Sequence, residues 1–141
     1  MATTAESATR STPQVSRSGA FSAILWTCQI LLALAFLAHG LMMLFPPAEI
    51  AVQMDAAFPR WFQVFIGVAE VLAAIGLTVP PLVRREQWLI AWAAGGIMIV
   101  MVSATIFHLA RSEFSSAFTT LVLLGMATLV AKVRLRDYPR R

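Results

Sequence analysis

Glu70, His39 and His108 are the residues of this chain best suited to chemistry, because each stands inside a long apolar stretch. Glu70 lies midway along the run Trp61–Val79, between Ala69 and Val71. An ionised acid at the centre of a membrane helix costs about 2.5–3.5 kcal/mol on insertion scales. It must therefore face other helices and find a partner, or keep its proton. Either outcome makes Glu70 a candidate for handling protons or binding a ligand. A protonated carboxyl that gives one hydrogen bond between helices, as structural glue, meets the same requirement.

The histidines extend this reading. His39 stands near the end of the first apolar run, and His108 stands three residues before Arg111 at the end of the third. If both runs point outward, both imidazoles lie in the outer half, with Glu70 several ångströms deeper at ~1.5 Å per residue. The expected cluster has Glu70 below and His39 and His108 above. A carboxylate beside imidazoles can relay a proton or hydrogen-bond a carbonyl such as that of a quinone. The alternative puts each imidazole at the interface with its polar edge in headgroup water. Two His and one Glu also match the donors of a facial metal triad, and two His match bis-imidazole haem ligation. Here the donors come from three separate runs without local spacing, so neither metal nor haem is expected.

The elements that must position these residues follow from composition. Of the 141 residues, 59% are apolar and 13% charged, against roughly 45–50% and about 25% in a soluble domain. This excludes a disordered chain, a nucleic-acid-binding domain and most soluble enzymes. The expected fold is all-α: an integral membrane four-helix bundle with antiparallel spans over residues 21–45, 61–79, 88–110 and 114–133. Pro46-Pro47 closes the first run, Pro80-Pro81 the second and Arg111-Ser112-Glu113 the third. Residues 1–20 read as a disordered N-terminal tail and 134–141 as a basic C-terminal tail. The first run continues too far beyond Ala33-Leu34-Ala35 for a cleaved signal, so it reads as a retained helix. Cys28, the single cysteine, excludes an internal disulfide or a cysteine-based metal site within one chain.

The charges give the orientation. Arg10, Arg17, Arg84, Arg85, Lys132, Arg134, Arg136, Arg140 and Arg141 fall on one side, and only Arg60 and Arg111 on the other. Basic residues stay cytoplasmic, so both termini are expected in the cytoplasm, with Trp26, Trp88 and Tyr138 near the inner interface and Trp61 near the outer one. Small residues turn the polar ones inward: Gln63, Gly67, Glu70 and Ala74 share one helix face, as do Gly96, Val100, Ala104 and His108.

The chain also resembles the DoxX-like family of small membrane proteins. Ala38-His39-Gly40 is similar to that family's small-Gly turn. Ile66-Gly67-Val68-Ala69-Glu70-Val71-Leu72, with Ile75-Gly76-Leu77 and Pro80, resembles its second-helix signature. Ala93-Ala94-Gly95-Gly96-Ile97-Met98, then Met101, Ala104 and His108, resembles its third. The resemblance implies a four-helix bacterial membrane protein and carries over Gly67, Glu70 and His108. Some relatives are linked to thiosulfate:quinone oxidoreduction or membrane redox complexes, and others resemble assembly factors. Where members often carry a Lys near Gly40, this chain has Met42-Met43.

The expected function is therefore a small bacterial inner-membrane subunit associated with redox chemistry. Glu70 would carry protons, with His108 and His39 as hydrogen-bond partners to a quinone-like ligand. Expected partners are the bilayer, redox-complex subunits and a second copy of the chain, with no nucleic acid. The alternative is a non-enzymatic assembly or interaction protein in which the same residues are structural. A transporter is disfavoured because four spans leave little room for paired repeats.

Overall fold

A computed structural model describes residues 19–83, 86 and 88–137, and all secondary structure among them is helical. The described residues form five helices: α1 (Gly19–Leu44), α2 (Ala48–Ala57), α3 (Arg60–Val83), α4 (Trp88–Ala110) and α5 (Phe114–Asp137). All but α2 are long and apolar enough to cross a membrane. The expected disordered tail lies outside the described residues up to position 18, while Gly19 and Ala20 already belong to α1. Arg84, Arg85, Tyr138 and the residues after it also lie outside the description.

Prolines set several boundaries. Pro46 has no N–H to continue α1, which ends at Leu44. Pro47 then starts α2, its carbonyl accepting from the N–H groups of Ile50 and Ala51. Phe58 is extended (φ −144°, ψ 140°), as the residue before a proline prefers. The Pro59 carbonyl opens α3 by accepting from Phe62 and Gln63. The expected direct loop between the first two spans is therefore a ten-residue helix with no buried residue. Its apolar residues are too few for a span. Its start signals, Pro47 and an acidic Glu49 in the first turn, are readable in the sequence.

Pro80-Pro81 does not close the second span as expected. Both prolines lie inside α3, which runs on to Val83. Pro81 cannot donate to the carbonyl of Leu77 four residues back. Gln29 of α1 supplies the missing donor, its Nε2 lying 2.6 Å from that carbonyl. Helix-interior prolines are tolerated in membranes when a neighbouring helix re-satisfies the freed group in this way.

α5 likewise continues past the expected boundary at 133, through Arg134 to Asp137. Arg134 is not part of a solvated tail. It is 6% exposed, donates from Nε (3.1 Å) and Nη2 (2.9 Å) to Gln29 Oε1, and lies over the Trp26 ring at 5.2 Å. A basic residue near a helix end reads as an orientation signal, but this one joins α5 to α1 and, through Gln29, to α3.

α4 packs mainly on α5 and α1 mainly on α3, with α3 also meeting α4 and α1 also meeting α5. At the end of the bundle that carries α2, Phe58 meets Phe107 (5.0 Å between ring centroids). There too, Arg60 donates to the carbonyls of Met43 and Leu44, which have no helical donor of their own. At the other end, Gln29, Leu77 and Arg134 form the junction just described. The apolar core lies toward that second end, built on Leu32, Leu77, Ile90, Ile97 and Val130, all essentially inaccessible. Large apolar side chains such as Leu31, Leu34, Leu72, Ile99, Ile106 and Phe118 point outward, the arrangement expected of helices solvated by lipid.

Candidate functional site

α1 and α3 approach most closely at Gly40 and Gly67. A Cβ on Gly40 would stand 2.9 Å from the Gly67 carbonyl oxygen, and one on Gly67 would stand 2.8 Å from that of Gly40. Only residues without a side chain allow this crossing. It sets the neighbouring residues against each other. Gly40 also faces the Cβ of Glu70, and His39 Nδ1 lies 2.7 Å from Glu70 Oε2.

The two partners are unequally exposed. The Glu70 side chain is 3% accessible and that of His39 44%. One proton occupies the hydrogen bond between them, whichever atom carries it. Among the described residues His39 makes no other hydrogen bond, so Nε2 remains for a further partner. The pair thus connects a buried carboxyl to an accessible imidazole edge. It can hold, give up or accept a proton at Nε2, and it can hydrogen-bond a carbonyl or hydroxyl there.

His108 is not part of this pair, contrary to the expected three-residue cluster. Its Nδ1 lies 2.6 Å from Glu113 Oε2. The cause is how α4 ends. The Glu113 N–H reaches the His108 carbonyl (2.9 Å) and the Ser112 N–H reaches that of Leu109 (3.0 Å), with Ser112 in the left-handed region at φ 61°. This is a Schellman cap, and it folds Glu113 back over His108. Arg111 Nε also donates to Glu113, at 2.7 Å. Arg111 first, and His108 after it, hold the Glu113 carboxyl below the usual carboxylate range.

Further polar residues line the interior near the α2 end. Gln63, wholly buried, donates to Asp55 Oδ1 and the Phe58 carbonyl (both 2.9 Å) and accepts from Arg60 (3.2 Å). This ties α2 to α3. The hydroxyls of Thr105 and Thr120 meet at 2.7 Å between α4 and α5. Gln29, Arg134 and Asp55 were not expected in these roles. The signals for Gln29 are an amide inside the first apolar run and a proline four residues after Leu77, the residue whose carbonyl it meets. Arg134 and Asp55 have no such signal.

No group of three His, Cys, Asp or Glu side chains able to hold a metal occurs among the described residues. Cys28 is a half-buried free thiol. An apolar groove of about 140 Å³ runs along the α1–α3 seam, walled by Ile30, Leu34, Leu37, Ala74 and Ile75 among others, without His39 or Glu70.

Four membrane-length helices, with a buried carboxyl bonded to an accessible imidazole, define a small multi-pass membrane protein. The chain belongs to the DoxX-like family, whose sequence profile matches residues 27–130. The match includes Gln29, His39, Glu70, His108 and Glu113 and ends before Arg134. No curated protein and no solved structure matches the chain.

Proposed function

We propose that this protein is a bacterial inner-membrane subunit associated with redox chemistry, in which the His39–Glu70 pair contacts a quinone-like ligand or relays its protons. The observation that carries the reading is the hydrogen bond between a buried Glu70 and an accessible His39. A quinone oxygen fits this pair chemically: Nε2–H donates to a carbonyl and neutral Nε2 accepts from a hydroxyl. Glu70 is the proton reservoir and His39 the group that meets the ligand. His108 acts at one remove, holding the turn between α4 and α5 through Glu113.

Both termini lie in the cytoplasm in this reading, and neighbouring spans run in opposite directions. The 9-to-2 division of basic residues supports the first point. The pairing of Gln29 with Leu77, and of Gly40 with Gly67, supports the second. A reporter fused after Arg141 is expected to stay cytoplasmic, and an exported one overturns the orientation.

The ligand test is binding of a quinone analogue to the purified protein and to Glu70→Gln. Binding that weakens in the variant supports the proposal. No binding to the parent sinks it, and equal binding to both removes Glu70 from the site.

A second reading is a non-enzymatic assembly or interaction protein, alone or with a second copy. The close approach of Gly40 to Gly67 favours it, because the adjacent pair then serves to lock α1 on α3. Loss of folding in Glu70→Gln without any ligand effect selects this reading.

A further inference from the structure

The buried polar side chains are unevenly divided along the bundle. Gln63, Glu70, Thr105 and Thr120 lie at or on the α2 side of the Glu70 level. Beyond Glu70, toward the end that carries the termini, the interior is apolar. Ala74 and Leu77 of α3 face Leu32 of α1, Ile90, Ala94 and Ile97 of α4, and Ala127 and Val130 of α5 in one cluster. Gly76 brings α3 close enough to α4 that a Cβ there would stand 2.8 Å from the Ala93 Cβ. Along α3 this layer separates Glu70 from Leu77 by about 10 Å at ~1.5 Å per residue. Thr78 and Thr128, half-buried nearby, return their hydroxyls to their own helices. Gln29 and Arg134 close the far side of the layer. The groove on the α1–α3 seam of this layer has apolar walls as well, so the layer gives water and protons no polar path through it.

In the opposite direction the accessible partner of the pair lies near a helix end. His39 lies five residues before the end of α1, about 8 Å at ~1.5 Å per residue, and its side chain is 44% accessible. We propose that the site is one-sided: protons, and a ligand offering a carbonyl or hydroxyl, reach Glu70 through His39 from the α2 end only, and nothing passes to the end that carries the termini. The protein is then a membrane-embedded proton acceptor or donor and not a transmembrane proton conductor. This rests on the pair handling protons, but not on the ligand being a quinone.

Among the described residues, the titratable or charged groups of these elements either have partners of their own or, like Glu49 of α2 and Lys132 and Arg136 of α5, are exposed, with Cys28 a half-buried thiol on α1. Asp55 of α2 accepts from Gln63. Arg60 of α3 caps α1. His108 of α4 and Arg111 hold Glu113 in the turn. Arg134 of α5 lies at the far end, on Gln29. A pH response of the Glu70 carboxyl is therefore a response of the His39–Glu70 pair.

The full chain in phosphatidylcholine vesicles tests this by infrared spectroscopy, using the carboxyl band that Glu70→Gln removes. A pH step confined to one side is expected to change the band only when applied on the α2 side. His39→Cys in a Cys28→Ser background gives an independent reading. A membrane-impermeant thiol reagent is expected to label it only from the side that labels Gln53→Cys, with background labelling from the side that reaches Lys132→Cys. A response or labelling from the termini side, from both sides or from neither overturns the proposal. If a quinone analogue fails to bind while the band still responds from the α2 side, the ligand reading fails and the one-sided site stands.

Discussion

Gly40 and Gly67 touch through their backbones, each presenting its carbonyl oxygen where the other's Cβ would be. The glycines are thus a condition of the hydrogen bond beside them, since His39 and Glu70 flank the same crossing. Gly40→Ala and Gly67→Ala each force α1 and α3 apart and are expected to destabilise by about 1–3 kcal/mol. Gly125→Ala is the contrast: a Cβ there meets nothing within 4 Å, so the helix gains up to about 1 kcal/mol. Thermal unfolding in detergent checks all three.

Removing one member of the His39–Glu70 pair leaves the other unsatisfied. His39→Leu strands a buried carboxyl and is expected to cost about 1–3 kcal/mol. The double variant with Glu70→Leu should cost less than the sum of the single changes, because neither polar group then remains. A double-mutant cycle on denaturation free energies measures the difference, and strict additivity would show that the bond contributes nothing.

Gln29→Leu removes the donor to the Leu77 carbonyl and the acceptor of Arg134 together. The expected cost is about 3 kcal/mol or more, the range for breaking a buried charged network. Pro81→Ala returns an N–H to the Leu77 carbonyl, so the loss from Gln29→Leu should shrink in that background. Unfolding midpoints of the four proteins decide this. An undiminished loss would detach Pro81 from the role given to Gln29.

The fold was legible where composition and prolines decide it. Four apolar runs became four membrane-length helices, and Leu44 ended α1 ahead of Pro46. Glu70 stood out because an acid in an apolar run needs a partner. That the partner would be His39 and not His108 could not be read from similar depths on two helices. It was settled by local chain geometry, as Ser112 turns Glu113 onto His108. Arg134 departs from the expected tail for a related reason. Position near a helix end sets where a charge tends to lie, but a specific acceptor such as Gln29 can draw it inward.

Ser112 holds a left-handed conformation that glycine adopts without steric cost. Ser112→Gly is expected to stabilise the end of α4 by up to about 1 kcal/mol, read as a higher unfolding temperature. A lower temperature would mean that the serine side chain is needed there.

The turn between α4 and α5 should loosen in acid. The Glu113 carboxyl is held below its ordinary range by Arg111 and then by His108. Its contribution is therefore fully present above the ordinary carboxylate pKa and is lost as pH falls through the lowered value. Amide exchange at residues 108–117, corrected for intrinsic rates, should accelerate in that acid window. Glu113→Gln should remove this pH dependence.

The Gln29–Arg134 contact joins residues 105 positions apart. Arg134 lies near the end of α5, so synthesis delivers it after α1 to α4 have been made. Until then α1 and α3 can meet, but Gln29 has no guanidinium to hold it on the Leu77 carbonyl. The junction thus fastens α1 only once α5 has been made. A nascent protein stopped before α5 is left with a first helix unfastened at this junction, and the arrival of α5 ties it down from the far end of the described residues.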